Sequence, residues 1–266
     1  MPGTAAVRRR RIVGASTKMY FDYARTIAYA RRTAELADAH ARFPLCDAAG
    51  EQTLDIFVAP DFVCIVPVAE ALLHSSSELW VGAQNVSDVD AGALTGEVSP
   101  ATLAQAGCRI VEIGHAERRR CFGEDDACVA RKAAAVHRHG MLPLVCVGEE
   151  TRTDIFHAAS ACFRQVDRVL AALPAADLVL AYEPVWAIGA AQPADPQYIA
   201  GVIAELRARC HAAHPRADGS LRIIYGGAAG PGMFSAIAAH ADGLFLGRAA
   251  HDPAAFLAAV LEVADA

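Results

Sequence analysis

The sequence lacks the charge that nucleic-acid-binding proteins normally carry. Its 24 Lys and Arg residues are outnumbered by 30 Asp and Glu residues, for a formal net charge of −6. Because no basic excess is available to neutralise a phosphate backbone, neither a nucleic acid nor an acidic membrane is expected as a partner. The one basic run, Arg8–Arg11, is interpreted as a solvated lead-in to the fold, with a targeting arm as the alternative.

Cysteine spacing and apolar run length exclude two further classes of protein. The eight cysteines are scattered, with no Cys-x-x-Cys pair and no His-x₃-His nearby, which argues against a zinc site or a disulfide framework. Charged residues interrupt every long apolar run before it reaches the length of a membrane span, and no signal peptide is recognised. The sequence therefore predicts a cytoplasmic protein with reduced thiols and no membrane association.

Short apolar runs alternate with longer helical patterns along the whole chain. An apolar fraction of 54% is ample for a large core. Runs of four to six apolar residues are typical of parallel strands covered on both faces. Eight such runs are predicted as strands: Ile12–Thr17, Leu54–Ala59, Leu79–Gln84, Ile110–Gly114, Leu142–Val147, Leu178–Tyr182, Leu221–Tyr225 and Gly243–Leu246.

Helical patterns fill the intervals between these strands. Tyr23–Ala39 and Asp154–Leu173 carry apolar residues on one stripe, as amphipathic helices do. Three helix starts combine a capping residue with proline at the first helical position: Ser99-Pro100, Asp195-Pro196 and Asp252-Pro253. Eight strand–helix alternations predict an α/β fold, with residues 1–266 forming a single (β/α)8 TIM-barrel domain. A doubly wound open sheet is the alternative, but no Gly-x-Gly-x-x-Gly follows the first strand.

Polar residues and glycine turns follow several of the predicted strands. In a barrel, the active site lies at the C-terminal ends of the strands. Lys18 follows the first strand, His115 the fourth and Glu183 the sixth, while Tyr225-Gly226-Gly227 and Gly247 belong to turns that could bind phosphate. Each feature alone has an ordinary structural interpretation, as a solvated lysine, a structural histidine, a paired glutamate or a tight turn. Together they predict proton transfer next to a carbonyl.

Five sequence strings, in order, resemble those of the triosephosphate isomerase family. They are "GASTKMY", "GALTGEVSPATLAQAGCRIVEIGHAERR", "LPLVCVGE", "AYEPVWAIG" and "YGGAA", and the match covers essentially the whole chain. The Glu-Pro-Val-Trp and Gly-His-x-Glu-Arg-Arg strings are far more specific than a general barrel signal. The resemblance implies an isomerase that interconverts dihydroxyacetone phosphate and glyceraldehyde 3-phosphate, or a close short-chain analogue. Neither a metal nor a cofactor is implied.

The resemblance also implies a role for each residue of the site. Glu183 would be the base, and the residues after it would form a lid. His115 would polarise the carbonyl and pass a proton between the two oxygens, and Lys18 would supply positive charge to the enediolate. Glu117 and Arg118 would hold Lys18 and the base in place.

A phosphate cradle and a homodimer are implied in the same way. The residues expected to contact the substrate or its phosphate are Ser16, Gly189, Ala228, Gly247 and Arg248. Segment Val86–Pro100 resembles the loop that enters the partner subunit of the family's dimer, with Thr95 approaching the neighbouring active site. We therefore expect a homodimer.

The chain departs from the family pattern at positions around the substrate. Ser16-Thr17 replaces Asn-Trp, Ala116 replaces serine, Ala190-Ala191-Gln192 replaces Thr-Gly-Lys, Ala228 replaces serine and Arg248 replaces glycine. Arg248 either makes a charge-assisted contact with phosphate or points outward.

The departures leave three functional hypotheses. The first is a triosephosphate isomerase of glycolysis and gluconeogenesis with tolerated substitutions. The second is an L-erythrulose 1-phosphate (tetrulose phosphate) isomerase of sugar-alcohol catabolism, because the smaller Ser16 and Thr17 leave room for one more hydroxymethyl group. The third is a non-catalytic sugar-phosphate-binding barrel.

Overall fold

Eight parallel strands pair in chain order, and the last strand closes on the first. This computed structural model describes residues 10–47, 49–190, 193–217, 219–230 and 232–266. The strands are Arg11–Ser16 (β1), Leu54–Ala59 (β2), Trp80–Ala83 (β3), Cys108–Ile113 (β4), Leu142–Val147 (β5), Leu178–Tyr182 (β6), Leu221–Tyr225 (β7) and Gly243–Leu246 (β8). The predicted α/β class and (β/α)8 barrel are confirmed.

The predicted strands match the observed ones closely. Five have the same bounds, and the first is displaced by one residue. β4 begins two residues earlier than predicted because Cys108 pairs with Val81 across the β3–β4 ladder, where the register shifts. β3 is one residue shorter at each end than predicted.

Helices surround the barrel between successive strands. They are Tyr23–Asp38 (α1), Ile65–Leu72 (α2), Pro100–Gln105 (α3), Ala116–Phe122 (α4), Asp126–Arg138 (α5), Ile155–Ala172 (α6), Pro196–Ala213 (α7), Met233–Ile237 (α8) and Pro253–Asp265 (α9). The three predicted caps are confirmed, since Ser99, Asp195 and Asp252 each accept a main-chain N–H of the helix that follows. Within the described part of the chain, no helix has the length and apolarity needed to cross a bilayer.

The barrel interior is apolar at its lower end and becomes polar towards the C-terminal ends of the strands. Lower inward positions carry large apolar side chains such as Ile110 and Leu144. The ring of Phe57 packs against Gly14, which leaves space for it by having no side chain. A Cβ on Gly14 would lie 2.0 Å from that ring. Since inward positions alternate along a strand, the next inward residue of β4 towards the C-terminal ends is Glu112. The apolar filling therefore stops below a polar upper layer.

A buried ionic cluster ties α5 to the loop after β3. Lys132 Nζ lies 2.7 Å from Glu124 Oε1 and donates to Asn85 Oδ1 at 3.0 Å. Arg118 Nε donates to the same Glu124 oxygen at 2.8 Å. Because both Lys132 and Glu124 are buried, each needs the other to compensate for lost hydration. The cluster fixes Asn85, which directly precedes segment Val86–Pro100.

We expect Lys132→Met to destabilise the fold strongly, because it leaves the Glu124 carboxylate buried with one of its two cations removed. The free energy of unfolding should fall by about 3–5 kcal/mol, measured by urea denaturation. The neighbouring Arg131→Met is the control. Its ion pair with Asp88 is exposed on the arginine side, so its loss should cost far less than the loss of the buried pair. Equal losses in the two variants would contradict the importance of the buried cluster.

Candidate active site

A cavity of about 640 Å³ opens at the C-terminal ends of the strands. Lys18 after β1, His115 after β4 and Glu183 after β6 all line it, so the closed barrel brings together three residues that are far apart in sequence. The turns after β7 and β8 also line it, between the strands that precede Glu183 and Lys18. This is the position where barrels of this type hold their active sites.

Lys18 is held in place by its backbone and by a carboxylate. Its φ of 47° is in the left-handed region, which is unusual for a residue with a side chain. Gln84 Nε2 donates to the Lys18 carbonyl at 3.1 Å and stabilises this turn. Lys18 Nζ lies 2.7 Å from Glu117 Oε1. Burial alone would lower the pKa of Lys18, but the hydrogen bond and charge of Glu117 outweigh it and raise the pKa above 10.5. Lys18 is therefore a cation at neutral pH.

His115 is oriented by the first turn of α4. Its Nδ1 accepts the main-chain N–H of Glu117 at 3.1 Å, so a neutral ring carries its proton on Nε2. Burial, together with the positive charge of Lys18, lowers the pKa of His115 to about 4. The imidazole is accordingly neutral at physiological pH. Its Nε2 lies 3.3 Å from Glu183 Oε2, close enough for both to contact one small molecule.

Glu183 is a buried acid, and one of its two carboxyl oxygens is not used in a hydrogen bond with any described residue. Among the described residues, no hydrogen bond of good geometry reaches its Oε2. Burial and the charge of Glu112 raise the pKa of Glu183 well above the usual 4.5, against the opposing charge of Lys18. Such an acid is a stronger base when it is ionised.

Two glycines leave room for Glu183. A Cβ on Gly148 would lie 1.8 Å from the Glu183 carbonyl oxygen, and one on Gly226 would lie 2.6 Å from Glu183 Oε1. A side chain at either position would displace the main chain or the carboxylate of Glu183. The glycines in "VGE" and "YGG" therefore leave the space that Glu183 occupies.

The segment after Glu183 is anchored at its start by Glu149. Glu149 Oε1 accepts hydrogen bonds from Trp186 Nε1 at 2.8 Å, Tyr198 Oη at 2.8 Å and Tyr182 Oη at 3.2 Å. A single turn of 3-10 helix, Val185–Ala187, follows. This is the stiff first part of the predicted lid. Two of the three residues at the other end of that lid, 191 and 192, lie outside the described residues.

The lid tip meets the turns that were predicted to hold phosphate. Gly189, at a φ of 74°, lines the cavity together with Ala228, Gly247 and Arg248. Arg248 Nη2 lies 3.9 Å from the position a Cβ on Gly189 would occupy, so the guanidinium extends towards the lid tip. Arg248 is nevertheless exposed, and a contact of its guanidinium with phosphate stays a prediction.

Arg118 lies apart from the three central residues. Its guanidinium pairs with Glu124 and lies over the Phe122 ring, 3.9 Å from the ring centroid. Successive residues of a helix point about 100° apart, which sends Glu117 towards Lys18 and Arg118 away from it. In the described part of the chain, the contacts of Arg118 thus support the loop after β3, and the expectation that it directly holds Lys18 or the base needs correction.

Sequence reasoning missed Glu112. This residue of β4 is buried inside the barrel, and among the described residues its Oε2 has no hydrogen-bond partner. Burial raises the pKa of Glu112 to about 7. A charged residue within a strand that is otherwise apolar and covered on both faces was the signal available in the sequence. Glu149 was also missed, although it stands in a string that carries the family resemblance.

Comparison with known proteins agrees with this geometry. The family model for triosephosphate isomerase matches residues 11–263. The chain is 45% identical to an L-erythrulose-1-phosphate isomerase of Pectobacterium atrosepticum, over 93% of each chain. It is 40% identical to a triosephosphate isomerase of Symbiobacterium thermophilum, over 82% of this chain and 87% of the relative. An L-erythrulose-1-phosphate isomerase of Rhizobium meliloti is 37% identical, over 96% and 97%. The chain therefore belongs to the triosephosphate isomerase family.

Proposed function

We propose that this chain isomerises a short-chain ketose phosphate by moving one proton between adjacent carbons through an enediolate. The observation that carries the proposal is the meeting of Lys18, His115 and Glu183 at one cavity that the glycine-bearing turns after β7 and β8 also line. A buried base, a neutral imidazole and a fixed cation are the groups that this chemistry requires.

The reaction is redox-neutral and uses no group from outside the substrate and the chain. For dihydroxyacetone phosphate, the Glu183 carboxylate takes a proton from C1, the C1–C2 double bond forms, and the carbonyl oxygen takes up the negative charge. His115 donates its Nε2 proton to that oxygen and receives the proton of the neighbouring hydroxyl. Glu183 then returns its proton to C2, and the carbonyl is left on C1.

The electrostatics of the three groups suit these steps. An imidazole whose pKa is about 4 is neutral, so it can donate a proton and accept one without first losing a charge; its use as a neutral electrophile in this family is an established example. Lys18 stays charged while the enediolate oxygen becomes negative nearby. The Ala187–Gly189 lid segment would exclude water when it closes over the substrate.

The phosphate would rest on main-chain N–H groups of Gly189, Ala228 and Gly247. Ala228 provides no hydroxyl where the family has serine, and Arg248 provides a guanidinium that faces the same cavity. A charge-assisted hydrogen bond from Arg248 would compensate for the missing neutral contact. Because the guanidinium also approaches Gly189, it would bind phosphate and lid together.

Two substrates fit this mechanism, dihydroxyacetone phosphate and L-erythrulose 1-phosphate. The second differs at the carbon from which Glu183 takes the proton, where a hydroxymethyl group replaces a hydrogen. Ser16 is smaller than the asparagine of the family pattern and lines the cavity. The relatives named as L-erythrulose-1-phosphate isomerases are compatible with this candidate.

We expect Glu183→Gln to reduce kcat by about a hundred- to ten-thousandfold on whichever substrate is used, the usual contribution of a positioned base. Purified protein would be assayed on both ketose phosphates, with Glu70→Gln on the exposed face of α2 as the control. The ratio of kcat/KM identifies the substrate. If the wild type and Glu183→Gln are equally inactive on both, the non-catalytic hypothesis is favoured and the proposal fails.

The pH dependence of kcat/KM should reflect Glu183 and not His115. Burial raises the pKa of Glu183, so activity is lost as pH falls through a value well above 4.5, where the base becomes protonated. His115, at about 4, adds no transition near 6.5. A pH–rate profile and histidine NMR titration measure the two groups. A His115 titration near 6.5 would contradict the neutral-imidazole role.

We further propose a homodimer formed through Val86–Pro100. The base of this segment is closed by the Ser87 N–H, which donates to the Val98 carbonyl at 2.8 Å, and residues 89–97 are exposed. At the same end of the barrel, Met19 is 93% exposed and Val63 is 75% exposed. A projecting loop next to uncovered apolar side chains is the surface that a second copy would cover.

Sedimentation velocity should give twice the chain mass of 28.0 kDa. Met19→Glu should convert the dimer to monomer and lower kcat, because Met19 is adjacent to Lys18. The control is Leu73→Glu. Leu73 is also a largely exposed apolar residue, but it follows α2 at the opposite end of the barrel. A monomeric wild type, or dissociation by Leu73→Glu alone, would refute the proposed interface.

A further inference from the structure

An aromatic cluster of Tyr20, Phe21 and His251 joins the loop after β1 to the turn after β8. Between centroids, the His251 ring lies 4.7 Å from the Phe21 ring and 5.3 Å from the Tyr20 ring, at interplanar angles of 65° and 60°. These are the edge-to-face arrangements that aromatic rings prefer. β1 and β8 pair side by side, which brings the segments after them together.

The Phe21 ring anchors this aromatic cluster to the body of the barrel. Phe21 is 6% exposed, and its ring centroid lies 5.4 Å from that of Tyr29 on α1. The guanidinium of Arg25, also on α1, lies over the Phe21 ring, 3.9 Å from its centroid. Tyr20, in contrast, is 56% exposed and lines the active-site cavity. The cluster thus runs from α1 to the edge of the cavity.

The two segments that the cluster joins each carry a cation to the cavity. The Tyr20 N–H donates to the Thr17 carbonyl at 3.2 Å and closes the turn that contains Lys18. The His251 N–H donates to the Arg248 carbonyl at 3.1 Å and closes the turn that begins at Arg248. Both Lys18 and Arg248 line the cavity. The contact between the Tyr20 and His251 rings therefore fixes one cation-bearing turn relative to the other.

The position of the His251 ring is not explained by a hydrogen bond at Nε2. This nitrogen is buried, and among the described residues it has no hydrogen-bond partner. Burial, and then the positive charges of Arg25 and Arg248, lower the pKa of His251, so the ring is neutral at physiological pH. It adds no cation to the predicted phosphate cradle. The ring contacts with Phe21 and Tyr20 remain, and a phenylalanine could make them as well.

The turn that His251 closes holds two of the groups predicted to bind phosphate, the Gly247 N–H and the Arg248 guanidinium. The Ala250 N–H donates to the Gly247 carbonyl at 2.9 Å, so this part of the chain is one short helical turn. Arg248 and Ala249 are exposed, and their side chains do not pack the turn onto the barrel. Because donors stabilise an anion best when they are already in position, the packing of the buried Ala250 and of His251 matters for binding.

We propose that His251 is a positioning residue for phosphate binding. Its ring holds the turn of Gly247 and Arg248 against the loop after β1, so that the cradle and Lys18 keep a fixed separation. The inference rests on the proposed isomerase function. It extends the phosphate site to a residue that acts through the turn and not by contact with the ligand.

The test measures phosphate affinity in matched variants. Isothermal titration calorimetry with inorganic phosphate gives Kd, and KM and kcat are measured on dihydroxyacetone phosphate and L-erythrulose 1-phosphate. The variants are His251→Ala, His251→Phe, Tyr20→Ala and the double variant His251→Ala/Tyr20→Ala. His251→Leu replaces His251→Ala if the alanine variant does not fold, and circular dichroism melting establishes folding for each protein.

His214→Ala is the matched control. The His214 ring also lies beside a phenylalanine ring, that of Phe163, with 6.4 Å between centroids. His214 follows the last turn of α7, however, at the end of the barrel away from the cavity. Its removal should leave the phosphate Kd and the KM unchanged.

His251→Ala should raise the phosphate Kd and the KM by about three- to tenfold, because a turn that is correctly placed for only about a tenth to a third of the time binds that much more weakly. The change in kcat should stay below about twofold, since a contact with phosphate is the same in the ground state and the transition state. His251→Phe should keep the wild-type affinity, because it keeps the ring contacts. The double variant should lose less than the product of the two single losses, because they share one contact.

An unchanged Kd and KM in a folded His251→Ala variant would overturn the positioning role and leave the isomerase function standing. Weak binding by His251→Phe would also overturn it, because ring contacts would then not be the cause. If the wild type binds phosphate but isomerises neither substrate, the proposed function fails, while the Kd values still decide the role of His251. A wild type that does not bind phosphate would remove both.

Discussion

One ammonium group is shared by three carboxylates at the mouth of this barrel. Lys18 pairs directly with Glu117, and its charge also lowers the pKa values of the buried acids Glu112 and Glu183. The pKa values of both buried acids nevertheless remain raised, because the desolvation that comes with burial is larger than the attraction of a single cation. The site thus holds a fixed positive charge and a base that accepts protons readily. The low pKa of His115 has the same origins, since burial and Lys18 both disfavour a second cation.

Close packing around this charge cluster depends on residues without side chains. Gly148 and Gly226 allow the chain to pass within contact distance of Glu183, and small residues leave the upper barrel open. The lower barrel is filled by Phe57, Ile110 and their neighbours. Rigid apolar packing below and free volume above are what allow a small ligand to reach groups that are themselves buried. The part of the barrel that stabilises the fold and the part that admits a ligand therefore lie at different levels along its axis.

Two further buried acids connect the site to the rest of the molecule. Glu149 gathers three hydrogen bonds at the start of the lid segment, and Glu124 holds the root of the loop after β3 through Lys132. Both carry their loops on anchors outside the cavity, so each loop can vary at its tip while its base stays fixed.

The amino-acid sequence alone determined the architecture and the three central residues. Period and apolarity locate each strand within two residues, and Glu-Pro-Val-Trp and Gly-His-x-Glu-Arg-Arg are specific enough to indicate the family. Side-chain direction was decided only by the tertiary structure. The approach of Arg248 to the lid tip at Gly189 and the pairing of Lys18 with Glu117 depend on how the strand ends are placed around the closed ring. Local sequence patterns do not contain such contacts, because they form between segments after different strands, which come together only when the barrel closes.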